Sequence, residues 1–109
     1  MNITCLTGVI LCFGWIFIKY NSIPALIIVL NGMIYYLNPE NKNGRKHDIL
    51  WNIFLMLLSV AVVPSSIMFL LLGILFWIIN NLTINNDIIH VLTVQFPISL
   101  ALRHAILKV

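Results

Sequence analysis

The amino-acid sequence predicts an all-α, polytopic integral membrane protein with four transmembrane helices, the third long and kinked at Pro64. Three observations predict it. Charged residues make up 8% of the 109 residues and hydrophobic ones 61%, with a mean hydropathy of +1.06, whereas a soluble domain carries roughly a quarter charged residues. Too little polar surface is left to cover a globule in water. The apolar residues fall in long runs parted by short polar stretches, and several runs approach the roughly 20 residues a helix needs to cross a bilayer. Length sets a single domain over 1–109.

The first helix is Ile3–Tyr20, about 27 Å long and so close to the roughly 30 Å hydrocarbon core. No basic stretch precedes it and no small-residue cleavage site follows, so it reads as a retained helix and not as a signal peptide. Cys5 and Cys12 lie seven residues apart on this segment, on one face but about 10 Å apart. That separation prevents a disulfide within the helix. With no zinc-type spacing around them, both read as small apolar packing residues.

Asn21-Ser22-Ile23-Pro24 then breaks the run. Ser22 or Asn21 suits a helix cap and Pro24 suits a first turn, so a second helix is predicted over 23–37. At about 22 Å it is short for a span, and Tyr35 and Tyr36 at its end suit the membrane interface. Residues 38–48, NPENKNGRKHD, contain Pro39 and Gly44 and form the main polar loop.

From Ile49 to Ile79 no residue is charged, and only Pro64-Ser65-Ser66 interrupts. One helix over 49–79 kinked at Pro64 competes with a hairpin turning there, which would make five helices. The hairpin arms would each reach only about 22 Å. A single helix would set Trp51 and Trp77 about 39 Å apart, near the spacing of aromatic belts. Asn52, Ser59, Ser66, Gly73 and Asn80 also recur every seven residues. Such a stripe of small and weakly polar residues is what membrane helices use for close packing, and its period matches left-handed packing. Its continuity through Pro64 favours the single helix.

Asn80–Asp87 is a polar loop, and the last helix, about 88–107, carries His90, Gln95, Pro97, Arg103, His104 and Lys108. Its first part is apolar enough to span and its basic end suits snorkelling. Four spans put Lys42, Arg45, Lys46, Arg103 and Lys108 on one side and Lys19 on the other. That asymmetry predicts both termini and the main loop in the cytoplasm. Five spans would divide the basic residues three and three.

The six Lys and Arg form no clustered stripe, which argues against a nucleic acid partner. The lipid bilayer is the expected partner, together with a second copy or another membrane protein. No nucleotide loop, nucleophile elbow or zincin helix occurs, and no cofactor is expected. The carboxylates are Glu40, Asp48 and Asp87, all in loops or at predicted helix ends, where Asp48 and Asp87 suit helix N-termini. In size and helix count the chain resembles the small multidrug-resistance transporters. Those depend on a glutamate inside the first helix, and Ile3–Tyr20 holds no acid.

The four-span arrangement brings His47 and Asp48, opening the third helix, to the same face as His104, ending the fourth. His, His and Asp are a ligand set for a metal that activates water, and His90 lies about 21 Å from His104 along the helix. The Asp48 that follows a polar loop and the distant His104 resemble the pattern of the membrane hydrolases related to alkaline ceramidases and progestin/adipoQ receptors. Those have seven helices and further Ser and His positions unmatched here. The resemblance implies a metal-dependent hydrolase with His47, Asp48 and His104 as ligands.

Asn2-Ile3-Thr4 and Asn81-Leu82-Thr83 are glycosylation sequons, the first predicted cytoplasmic and the second close to the membrane. The leading expectation is a non-enzymatic structural or interaction component of a membrane that associates through the Asn52–Asn80 stripe. Small size, several spans and a basic tail also fit a pore former of the viroporin or holin kind, and the abundance of Ile and Asn fits an AT-rich, viral-type gene.

Overall fold

The computed structural model describes residues 1–108, which are all-helical with five helices. They are α1 (Ile3–Tyr20), α2 (Ile23–Leu37), α3 (Lys42–Val62), α4 (Pro64–Ile84) and α5 (Asp87–Lys108). Of these, α1, α4 and α5 are long and apolar enough to cross a membrane, and α2 is a shorter apolar helix.

Local chemistry explains each boundary. Asn2 caps α1 through its side chain, which accepts from Cys5 N at 3.1 Å. Asn21 ends the helix in the left-handed region at φ 52°, a conformation Asn tolerates better than most residues. Ser22 then caps α2, accepting from Ala25 N at 3.3 Å. Both helices have the limits the sequence predicts.

The predicted loop 38–48 is shorter than expected. Asn41 caps a helix from Lys42 by accepting from Asn43 N and Gly44 N, so α3 begins about two turns before the apolar run. Gly44 sits within that helix against α2, where a Cβ would lie an ordinary contact distance of 3.7 Å from the Tyr35 backbone.

The single helix predicted over 49–79 is two helices. Val63 is extended at φ −126° and ψ 92°, and Pro64–Ser66 form a 3₁₀ turn. The residue before a proline is pushed out of the α region, and here it reverses the chain instead of kinking it. Ser66 secures the turn by donating from Oγ to Val63 O at 2.6 Å. The shortness that counted against a hairpin disappears because α3 gains its polar first turns and α4 runs past Ile79 through a wide π turn, Asn80–Ile84. Each is then about 31 Å long.

The bundle runs up and down. Asn2 N donates to Tyr36 O at 2.8 Å, which sets the start of α1 against the end of α2. Gln95 Nε2 donates to Cys5 O at 3.3 Å and Arg103 Nε to Tyr20 OH at 3.2 Å, so α1 and α5 run parallel. The five helices therefore place Asn2 and Lys108 at opposite ends of the bundle. We call the end with Asn2, Asn41 and Asn86 the loop end, and the end with Asn21, Pro64 and Lys108 the turn end.

Helices α1, α2, α3 and α5 enclose a core in which Phe13, Ile16, Ile28, Met56 and Ser99 are fully buried. Helix α4 lies against α5 and touches α3 little beyond their junction. In lipid the contact comes from close packing more than from water expulsion, and glycines provide it. A Cβ on Gly32 would lie 3.0 Å from Val9, and one on Gly73 3.2 Å from Ile98. Outside, Ile18, Ile34, Phe54, Leu57, Leu71 and Leu75 are all exposed.

Candidate functional site

A cavity of about 320 Å³ opens at the loop end between α3, α4 and α5. Its lining is graded along the helices. Near the loop end it is polar, with Asn2, Tyr35, Arg45, Asp48, Asn52, Asn81, Asn85 and Asp87; farther along it is apolar, with Val9, Phe13, Met56, Leu70, Val94 and Ile98. The volume and the mix of a mainly apolar wall with a few polar groups are those of a small-molecule pocket.

Its position follows from the weak contact of α3 with α4. These walls are joined at Pro64 and diverge toward the loop end, where Asn80 fixes the far side. Asn80 Nδ2 donates to Asn86 O at 3.0 Å, and Asn80 Oδ1 accepts from Asn86 N at 3.0 Å. Asn86 in turn caps α5, and Asn85 takes the left-handed region at φ 51°. Asn80, Asn85 and Asn86 thus tie the α4–α5 turn.

Asp48 is the buried charge of the site. It stands just before the apolar stretch 49–62 and is only 8% exposed. Its Oδ1 accepts from Asn52 Nδ2 at 3.2 Å, and its backbone carbonyl from the same nitrogen at 2.7 Å. It is an interior residue of α3, not the helix opener the sequence suggested; Asn41 has that role. Asp87, at the first turn of α5, is exposed.

A second polar group lies deeper. Gln95 Nε2 donates to Tyr36 OH at 3.3 Å as well as to Cys5 O, and Tyr36 OH is 3.2 Å from His90 Nε2. Gln95 is buried, and its Oε1 has no hydrogen-bond partner. That oxygen abuts Gly8, where a Cβ would also lie 2.6 Å from Val91. Both partners flank π turns, Ile10–Gly14 in α1 and Val91–Gln95 in α5. Such wide turns are frequent at functional sites.

The structure does not bring the expected metal ligands together. Ser59 shares a hollow at the turn end with Leu102 and Ala105, and Asp48 is eleven residues, about 16 Å, from Ser59 along α3. His104 therefore belongs to the turn end, and His47 and Asp48 to the loop end. Among the described residues no group of three His, Cys, Asp or Glu is placed to hold a metal.

The seven-residue stripe is buried in this fold, Asn52 partly and the others fully. Ser59 donates to Leu55 O at 3.0 Å, Ser66 holds the turn, Gly73 admits Ile98, and Asn80 ties α4 to α5. Cys5 and Cys12 are buried free thiols. Gly8 and Gly32 were not singled out from the sequence, and Tyr36 was read there only as an interface residue. The polar signal that pointed to this region is Gln95, an amide inside an otherwise apolar run.

Comparison with known proteins gives no match, whether to a protein family, to a curated protein or to a solved structure.

Proposed function

We propose that this chain is a five-pass integral membrane protein that acts as a non-enzymatic component, by holding a small amphiphile in the loop-end cavity. The observation that carries the membrane half is the exterior: large apolar side chains are exposed along every helix, far beyond the patch a soluble monomer tolerates. The long dimension, 36 Å, covers a hydrocarbon core of roughly 30 Å with its interfaces. The binding half rests on the graded lining of the cavity. The set of polar groups inside the bundle suits reversible contact, and the stripe residues support it from within instead of offering a face to a partner.

The cavity and the turn-end hollow have no lining residue in common, which weighs against a water-filled pore through one copy. The basic residues divide evenly, Lys42, Arg45 and Lys46 toward the loop end and Lys19, Arg103 and Lys108 toward the turn end. Charge therefore assigns neither end to the cytoplasm.

Cysteine labelling tests the arrangement, with Cys5 and Cys12 replaced and single cysteines at Asn43, Ser65, Asn85 and Lys108. Asn43 and Asn85 should label from one side, Ser65 and Lys108 from the other. Labelling of Lys108 from the side of Asn43, with Ser65 protected, would restore four passes and defeat the proposal.

A further inference from the structure

The cavity offers one buried charged acceptor. Asp48, nine-tenths buried, has one side-chain hydrogen bond, from Asn52, and no cationic side chain among the described residues compensates its charge. Gln95, also nine-tenths buried, lines the same cavity, but its unpartnered Oε1 is turned against Gly8 and away from the open space. Asp87 adds a second carboxylate at the mouth. Arg45 is the basic residue of the lining, and it is exposed at the rim. A buried carboxylate without a counter-charge is costly, and a ligand that brings the missing charge recovers that cost on binding. Such a ligand is a cation and a hydrogen-bond donor.

The remaining wall states what the cation is attached to. Phe13, Met56, Leu70 and Ile98 line the part away from the mouth and offer only dispersion contact, so the ligand body there is apolar. Tyr35 and Trp77 lie in the lining as well, and aromatic faces favour ammonium groups. Because α3 and α4 meet little beyond their junction, the space between them is not sealed by helix contact, and an amphiphile can enter from the side with its head level with the loop end.

We infer that the loop-end cavity binds an amphiphile with an ammonium head, its charge set against Asp48 and its apolar body along Phe13, Met56, Leu70 and Ile98. The inference rests on the binding role proposed above and names its ligand class. The ammonium group belongs either to an aminolipid of the surrounding bilayer or to a free amphiphilic amine.

The test uses the full chain in a neutral maltoside detergent, with Trp15→Phe and Trp51→Phe so that Trp77 alone reports. Dodecylammonium is titrated against Trp77 emission, with dodecyl sulfate and dodecanol as comparators of equal tail. Saturable binding of dodecylammonium is expected, weakened at least tenfold by Asp48→Asn, with the comparators bound no more tightly by the original than by the variant. Equal dodecylammonium affinity in a folded Asp48→Asn protein overturns the ligand class. If sulfate or alcohol saturates the site and ammonium does not, the head is misassigned but the binding role stands; if none of the three saturates, the binding role falls too. Should Asp48→Asn not fold, Leu70→Phe decides: it must weaken dodecylammonium several-fold and leave butylammonium unchanged, and failure to do so refutes the inference. Repeating the titration in phosphatidylcholine nanodiscs with and without phosphatidylethanolamine separates the two sources, since competition by the aminolipid identifies the bilayer as the supplier.

Discussion

Two residues carry most of the chemical interest. Asp48 is buried with one side-chain hydrogen bond to its carboxylate, from Asn52. Asp48→Asn keeps the acceptor for Asn52 and removes a buried charge that is costly without a partner. It should raise the midpoint of thermal unfolding in detergent at pH 7.5. A residue that stabilises the empty protein when replaced, yet weakens the amine complex, is one retained for binding. Gly8 is the other. Its replacement by Val puts methyl groups where Gln95 and Val91 stand, and overpacking of this kind costs about 1–3 kcal/mol. The expected sign is a lowered midpoint in the same unfolding assay, larger than that for Gly14→Val, since Gly14 meets nothing nearer than 3.8 Å.

At the scale of elements, α1 and α2 are legible from the sequence because apolar runs end at residues with a local reason to end them, Asn21 by its left-handed turn and Ser22 by its cap. The start of α3 is not. Pro39 and Gly44 look like breakers, but Asn41 caps the helix after Pro39 and ahead of Gly44, and Gly44 is carried inside the helix where it packs on α2. The reversal at Val63 is hidden for a different reason. Periodicity reports which face a residue is on and carries no information about chain direction, so two antiparallel arms that bury their small residues toward one interior keep the same spacing through the turn. The signal present was the proline's effect on the residue before it. Of the site, Asp48 was visible as a lone acid and Gln95 as a lone amide, but their sharing of one cavity depends on the reversal. The stripe's role makes a prediction: Gly73→Leu must displace Ile98 and loosen α4 from α5. The thermal midpoint should fall, by about 1–3 kcal/mol in equivalent stability, while the oligomeric state measured by light scattering stays as it was. A change of oligomer size without loss of stability would return the stripe to an outward, partner-facing role.

For the whole molecule, an odd number of helices sets the two ends of the described chain apart and leaves each end of the bundle with the same number of basic residues. Orientation then depends on features other than loop charge, and exchanging Arg103 and Lys108 for Gln should bias the loop end to the cytoplasm, as read by glycosylation of an engineered acceptor at either end. A last consequence comes from the position of α4, which packs on α5 and scarcely on α3. During synthesis α4 emerges before α5, the helix that holds it. In the proposed membrane arrangement α4 has to wait in the lipid for that partner, and it is the most apolar and least buried of the three long helices, as such a wait requires. Helix α5 brings His90 and Gln95 and contacts both α1 and α4. The cavity thus acquires its last wall only with α5, and a chain halted before Asp87 would lack the site proposed above.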